Sequence, residues 1–124
     1  MHSKKTLPPI PLLEEIVEGI ADRKGEVIRV ADLTEIDNAA CDYFIICQGN
    51  SPTQVNAIAD SISERVQKNT GEKPWHIEGK SNAEWVLMDY VNMVVHVFQK
   101  DVRSFYGLDE LWADAPVYEI EFKY

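Results

Sequence analysis

A chain of 124 residues with a hydrophobic fraction of 45% suffices for one domain with its own core, and excludes wholesale disorder. The balance of 21 acidic against 12 basic residues leaves a net charge of -9. That charge disfavours general binding to nucleic-acid phosphates and suits a basic protein partner instead.

No apolar run approaches the roughly 18 residues of a bilayer span, and the N-terminus MHSKKTLPPIPLLEEI has no signal-peptide pattern. A cytoplasmic protein with no membrane contact is expected. Within TLPPIP the prolines give a stiff lead-in. Leu12, Leu13, Ile16, Val17 and Ile20 then recur at helical spacing, and Lys24-Gly25 should end that helix. EVIRVADL alternates in the manner of a strand. Tyr43 to Cys47 is a short continuous apolar run, which predicts a central strand buried on both faces. Cys41 and Cys47, flanking that strand, are too far apart along it to bond each other and read as free buried thiols of a reducing compartment.

Gly49-Asn50 makes a turn. Ser51 has the chemistry of a helix N-cap, Pro52 of the first helical position, and Gln54 of the reciprocal half of a capping box. Val55, Ile58, Ile62 and Val66 form the buried stripe of that helix, which Asn69-Thr70-Gly71 stops. Pro74 to Glu78 suggests a short strand, and Trp85–Tyr90 with Met93–Phe98 a hairpin. Helical turns are expected on each side of Gly107. The last residues, VYEIEFKY, suit either an edge strand or a loose end. The order α-β-β-α-β-β-β-α implies a single α/β domain, a mixed sheet flanked by helices.

A two-residue turn at Val91-Asn92 would set Tyr90 opposite Met93, Asp89 opposite Val94 and Leu87 opposite His96. One face then carries Val86, Met88, Tyr90, Met93, Val95 and Val97, the core side. The other carries Trp85, Leu87, Asp89, Val94, His96 and Phe98: two large aromatics beside two polar residues. That composition fits a sheet surface open to a partner, and equally a face covered by a helix with its polar groups satisfied internally.

Catalytic patterns are weak. Ser51 with Asp89 and His96 lacks a nucleophile elbow, and Ser51 already has a capping role. Gly49-Asn50-Ser51 resembles the phosphate-cradling turn of nucleotidyltransferases, but no strand with two carboxylates one residue apart follows it; Glu119 and Glu121 have that spacing only in the tail. His2, His76 and His96 never pair with a cysteine at zinc-ligand spacing. No catalytic residue, metal or cofactor is expected.

Several stretches together resemble the Iojap family, the ribosomal silencing factors: DYFIICQGNSPTQV, EGKSNAEWVLMDY, VVHVF and RSFYGLDELWADA, in that order. Val91-Asn92 departs from the family pattern of a glycine followed by an acid, and Cys47-Gln48-Gly49 from a small or hydroxyl residue before the glycine. The resemblance implies a flexible lead-in over 1–10, a silencing-factor domain over 11–115 related to nucleotidyltransferases without their active site, and a tail over 116–124. It further implies docking on the large ribosomal subunit, on its basic fourteenth protein with little nucleic-acid contact. A factor bound there would sterically block small-subunit joining and lower translation under nutrient limitation. Trp85 would be the anchor, Leu87 and Phe98 its apolar surround, Asp89 and His96 orienting hydrogen-bond partners, and Glu78, Arg103 and Tyr106 the rim. Leu111-Trp112 read as docking residues for the last helix. An assembly factor for the large subunit would use the same face, and a free protein can pair through it as a homodimer.

Overall fold

The structure, a computed structural model, describes residues 7–111 and 114–124. The helix α1 (Pro11–Asp22) starts with a proline at its first position, and its buried side chains are Leu12, Leu13, Ile16, Val17 and Ile20. Of the lead-in expected to be flexible, residues 1–6 lie outside the described residues, whereas Leu7 and Ile10 pack against the core. After β1 (Glu26–Asp32) comes β2 (Tyr43–Gly49), buried along its whole length as the apolar run predicts. Ser51 caps α2 (Pro52–Thr70): its Oγ accepts from the Gln54 N–H at 3.1 Å, and Gly71 ends the helix. The Gln54 side chain reaches back one residue further than a capping box requires, accepting from the Asn50 N–H at 2.8 Å.

Three strands follow, β3 (His76–Glu78), β4 (Trp85–Asp89) and β5 (Met93–Gln99). Short helices α3 (Lys100–Tyr106) and α4 (Leu108–Leu111) flank Gly107, and β6 (Val117–Ile120) closes the chain. The sheet runs β3-β4-β5-β2-β1-β6. Only the central β2–β5 pair is parallel; the other four pairings are antiparallel. VYEI therefore becomes an edge strand, pairing with β1 from Ile28↔Ile120 to Ala31↔Val117.

Helices α1 and α2 cover one face of the sheet. Their apolar stripes meet Ile28, Val30, Ile45 and Cys47 and the hairpin's Val86, Met88, Tyr90, Met93, Val95 and Val97 in one core, a burial that drives folding by removing apolar area from water. The two helices approach closely at Gly19, where an added Cβ would lie 2.9 Å from the Ile62 Cα. Across that contact the Ser61 hydroxyl donates to the Gly19 carbonyl at 2.8 Å. Cys47 is fully enclosed by this core, which pushes its thiol up to about 12.

The hairpin register is the one the alternation predicts: Trp85↔Phe98, Leu87↔His96 and Asp89↔Val94, with the Tyr90 N–H donating to the Met93 carbonyl at 2.8 Å. The missing glycine is absorbed by a strained turn. Val91 sits at φ 74°, and the Asn92 N–H donates to the Tyr90 carbonyl at 2.9 Å. This is the rare γ-turn, in a conformation that a β-branched residue strongly disfavours. The Asp89 carboxylate supports it by accepting the Val91 N–H at 2.7 Å. Because Val91 is 58% exposed, Val91→Gly removes backbone strain and little burial. We expect it to stabilise the domain by about 1 kcal/mol, read as a higher urea midpoint at unchanged slope. A lower midpoint would mean that the turn carries no strain.

Candidate docking face

The sheet's second face is divided. Beneath α3 and α4 a smaller apolar cluster forms from Ala31, Leu33, Cys41, Phe44, Ile46, Phe98 and Ala115, with Val102 and Leu108 packed on it. Towards β3 and β4 no helix among the described residues covers the sheet, and Trp85, Leu87 and Asp89 are each half-buried. The face is thus covered on the β2 side of β5 and left partly open on the β4 side.

Trp85 sits at the boundary. Its indole stacks on Phe98 at 5.1 Å between ring centroids and meets Tyr106 of α3 at 4.7 Å. Its Nε1–H donates to the His96 Nδ1 at 2.9 Å, an arrangement that requires neutral imidazole with its proton on Nε2. Burial favours the same state, pulling the His96 pKa down to about 4. The His96 Nε2 is buried without a partner among the described residues. Phe44 lies against the other side of the ring, 4.2 Å between centroids.

The backbone beneath Trp85 is held by a close approach. Gly79 has φ 92°, and a Cβ there would fall 2.0 Å from the Trp85 carbonyl oxygen, so only glycine fits. One residue earlier, Glu78 is exposed and pairs with His76 at 2.5 Å. On α3, Tyr106 is 47% exposed and Phe105 82%, the two rings meeting edge to face at 5.3 Å.

Three residues expected on the binding surface do not reach it. Phe98 is fully buried under Trp85 and Tyr106, so it supports the Trp85 ring from below and does not surround it at the surface. His96 is 3% exposed, with Nδ1 already occupied by Trp85. Arg103, expected at the rim, is 6% exposed. Its Nε and Nη2 grip both carboxylate oxygens of Asp109 at 2.9 and 2.8 Å. Its Nη1 donates to the Val27 carbonyl at 2.6 Å and to the Gln48 Oε1 at 3.2 Å. Such a complete set of acceptors explains why α3 turns a guanidinium inward and leaves Phe105 in water.

Phe105 and a second bare aromatic, Trp75 at 78% exposure, were not among the residues singled out from sequence. The 3,4 spacing of Val102, Phe105 and Tyr106 points them all to one face; only the internal seat of Arg103 shows that Phe105 turns out. The docking role read for Trp112, together with the side chain of Leu111, lies outside the described residues.

The polar groups that invited catalytic readings have local tasks. Ser51 caps α2, Asp89 holds the Val91 turn, His96 accepts from Trp85, and Glu119 pairs with Arg29 at 2.9 Å. Among the described residues no group of three or more His, Cys, Asp or Glu side chains could hold a metal ion, and no helix is long and apolar enough to cross a membrane.

Fold and face together define a small single-domain α/β protein with a mixed sheet, one face closed by helices and the other presenting a partly open aromatic surface. Residues 6–123 match the family described as ribosomal silencing factor during starvation, and the chain belongs to that family. Several curated relatives carry the name ribosomal silencing factor. The one from Bacillus subtilis is 46% identical over 101 residues, covering 82% of this chain and 84% of that protein. The one from Halalkalibacterium halodurans is 42% identical over 110 residues, covering 89% and 92%. A mitochondrial Iojap-related protein of Arabidopsis thaliana and the chloroplastic Iojap protein of Zea mays match as well. A crystal structure of a Chromobacterium violaceum protein superposes with a TM-score of 0.77 at 30% identity, covering 82% of this chain and 83% of that one.

Proposed function

We propose that this chain represses translation by docking on the large ribosomal subunit, on its basic fourteenth protein, where it sterically blocks joining of the small subunit when nutrients are scarce. Membership of the silencing-factor family supports a ribosome-directed role. The observation that carries the docking reading is the aromatic surface of Trp85, Tyr106 and Phe105, kept at the water boundary although a complete core exists on the other face. A patch of that kind marks an interaction site. Trp85 and Leu87 form its centre and Tyr106 and Glu78 its edge, while Asp89 supplies charge. His96 and Phe98 hold Trp85 in place, and Arg103 holds α3. The net charge of -9 steers the domain towards a basic protein surface and away from ribosomal RNA. In the absence of ribosomes the same face pairs two copies.

Sedimentation with purified subunits tests this. Added before joining, the protein should travel with the large subunit and prevent formation of whole ribosomes. If it binds the large subunit while joining proceeds, repression by occlusion is refuted and an assembly role takes its place. Binding to neither subunit would refute docking altogether.

A further inference from the structure

The side chains of Trp75 and Val91 stand outside every role assigned so far. Trp75 is 78% exposed and Val91 58%, where the chain enters β3 and where β4 turns into β5. The backbone of Trp75 is nevertheless fixed where the chain bends into β3, its N–H donating to the carbonyl of Asp89, the residue that pairs with His76, at 2.7 Å. An indole held in place by its backbone and left in water forgoes the burial that ordinarily stabilises it. With Asp89, these two side chains line an open pocket of about 260 Å³.

The chemistry of that notch is specific. Its walls are an indole and an isopropyl group, and its polar element is a carboxylate. Asp89 accepts the Val91 N–H through Oδ1, which orients the group. Among the described residues Asp89 has no ion-pair partner. Glu72 and Glu78 bracket Trp75 three residues away on either side, with Lys73 offsetting one of those charges. We propose that the notch receives an arginine or lysine side chain from the basic protein that docks on the Trp85 face, the cation lying over the indole and bonding to Asp89.

Continuity supports this occupant. Asp89 lies on the same sheet face as Trp85 and Leu87, so a protein covering those residues reaches the notch without changing direction. A cation is drawn to the negative face of an indole ring, and a guanidinium can stack on it while its edge donates to a carboxylate. Phosphate is the wrong charge for a pocket that contains Asp89. The inference rests on the docking reading above and adds to it the kind of side chain that the partner must contribute.

The test compares substitutions at position 75 in the full chain, with affinity for purified large subunits measured across a salt series. Trp75 is exposed, so unfolding midpoints should stay near that of the unsubstituted chain for all variants. Trp75→Ala should weaken binding about 5- to 30-fold. Trp75→Tyr, which keeps an aromatic face, should stay within about threefold, whereas Trp75→Leu, which keeps apolar area without the ring, should fall with alanine. Leucine binding as well as tryptophan would overturn the cation assignment in favour of a plain apolar contact. Alanine binding like tryptophan, while Trp85→Ala fails, would refute the notch and leave docking intact. If the unsubstituted chain does not bind, both readings fall. Salt separates protein from RNA. A cation over the indole and beside Asp89 requires the loss on Trp75→Ala to shrink as salt rises, whereas an RNA base stacked on Trp75 through its uncharged ring would leave that loss unchanged, and that result would overturn the proposed occupant.

Discussion

Replacing Trp85 with alanine is expected to weaken docking on the large subunit roughly 30- to 1,000-fold, about 2–4 kcal/mol, while the domain stays folded. The magnitude follows from how the residue is held. Phe98 stacks beneath the indole, Tyr106 leans on it, and its N–H is fixed by His96. Few rotamers remain to be lost when a partner covers the remaining surface, so most of the contact energy appears as affinity. The variant also removes one hydrogen bond and leaves His96 with neither ring nitrogen partnered by the described residues. A stability loss of about 1–3 kcal/mol is therefore expected alongside, and binding should be measured well below the melting transition. Trp85→Phe separates the two effects, keeping a ring between Phe98 and Tyr106 while losing the N–H. It should bind better than alanine and worse than tryptophan. If affinity falls only in proportion to the unfolded fraction, Trp85 is a core residue and the docking face lies elsewhere.

The readable parts of this fold are those in which one local rule decides. Alternation along β4 and β5 assigned Val86, Met88, Tyr90, Met93, Val95 and Val97 to the core, and all six are in it. The cap at Ser51 and the stop at Gly71 follow from side-chain and backbone chemistry within a few residues. Phe98 and Arg103 were misplaced because their surroundings come from elsewhere in the chain. What covers Phe98 is decided by where α3 lands. Where α3 lands depends on acceptors contributed by Val27, Gln48 and Asp109, residues up to 76 positions away from Arg103. No periodicity encodes such a seat. Trp75 escaped notice for the converse reason: a single tryptophan entering a three-residue strand carries no pattern, and its exposure exists only once β3 is an edge.

Arg103→Ala tests the seat itself, and we expect it to cost about 3 kcal/mol of stability. Removing one partner of a buried pair strands the other charge, at about 3–5 kcal/mol; the Asp109 side chain is 23% exposed, which places the effect at the lower end. Arg29, 3.6 Å from Asp109, compensates only in part because it also holds Glu119. The Val27 carbonyl and Gln48 lose their donor at the same time. Val27 makes this costly, since it occupies φ 48° at a bulge between Glu26 and Arg29, an unfavourable conformation for valine that the Arg103 bond helps to retain. Arg103→Lys should rescue little, because an ammonium cannot grip both Asp109 oxygens and still reach Val27 and Gln48. Acid should reproduce the defect. Hydrogen bonds from Arg103 hold the Asp109 carboxyl below its ordinary value. Its stabilisation is therefore present above the unfolded-state pKa and disappears as pH falls through the depressed folded one. The unsubstituted chain should lose stability over that interval more steeply than Arg103→Ala. Docking should weaken as well, by about tenfold, because a loosened α3 no longer keeps Tyr106 against Trp85. Full stability in Arg103→Ala with docking alone impaired would return Arg103 to the rim of the interface and remove α3 as the element that sets the anchor.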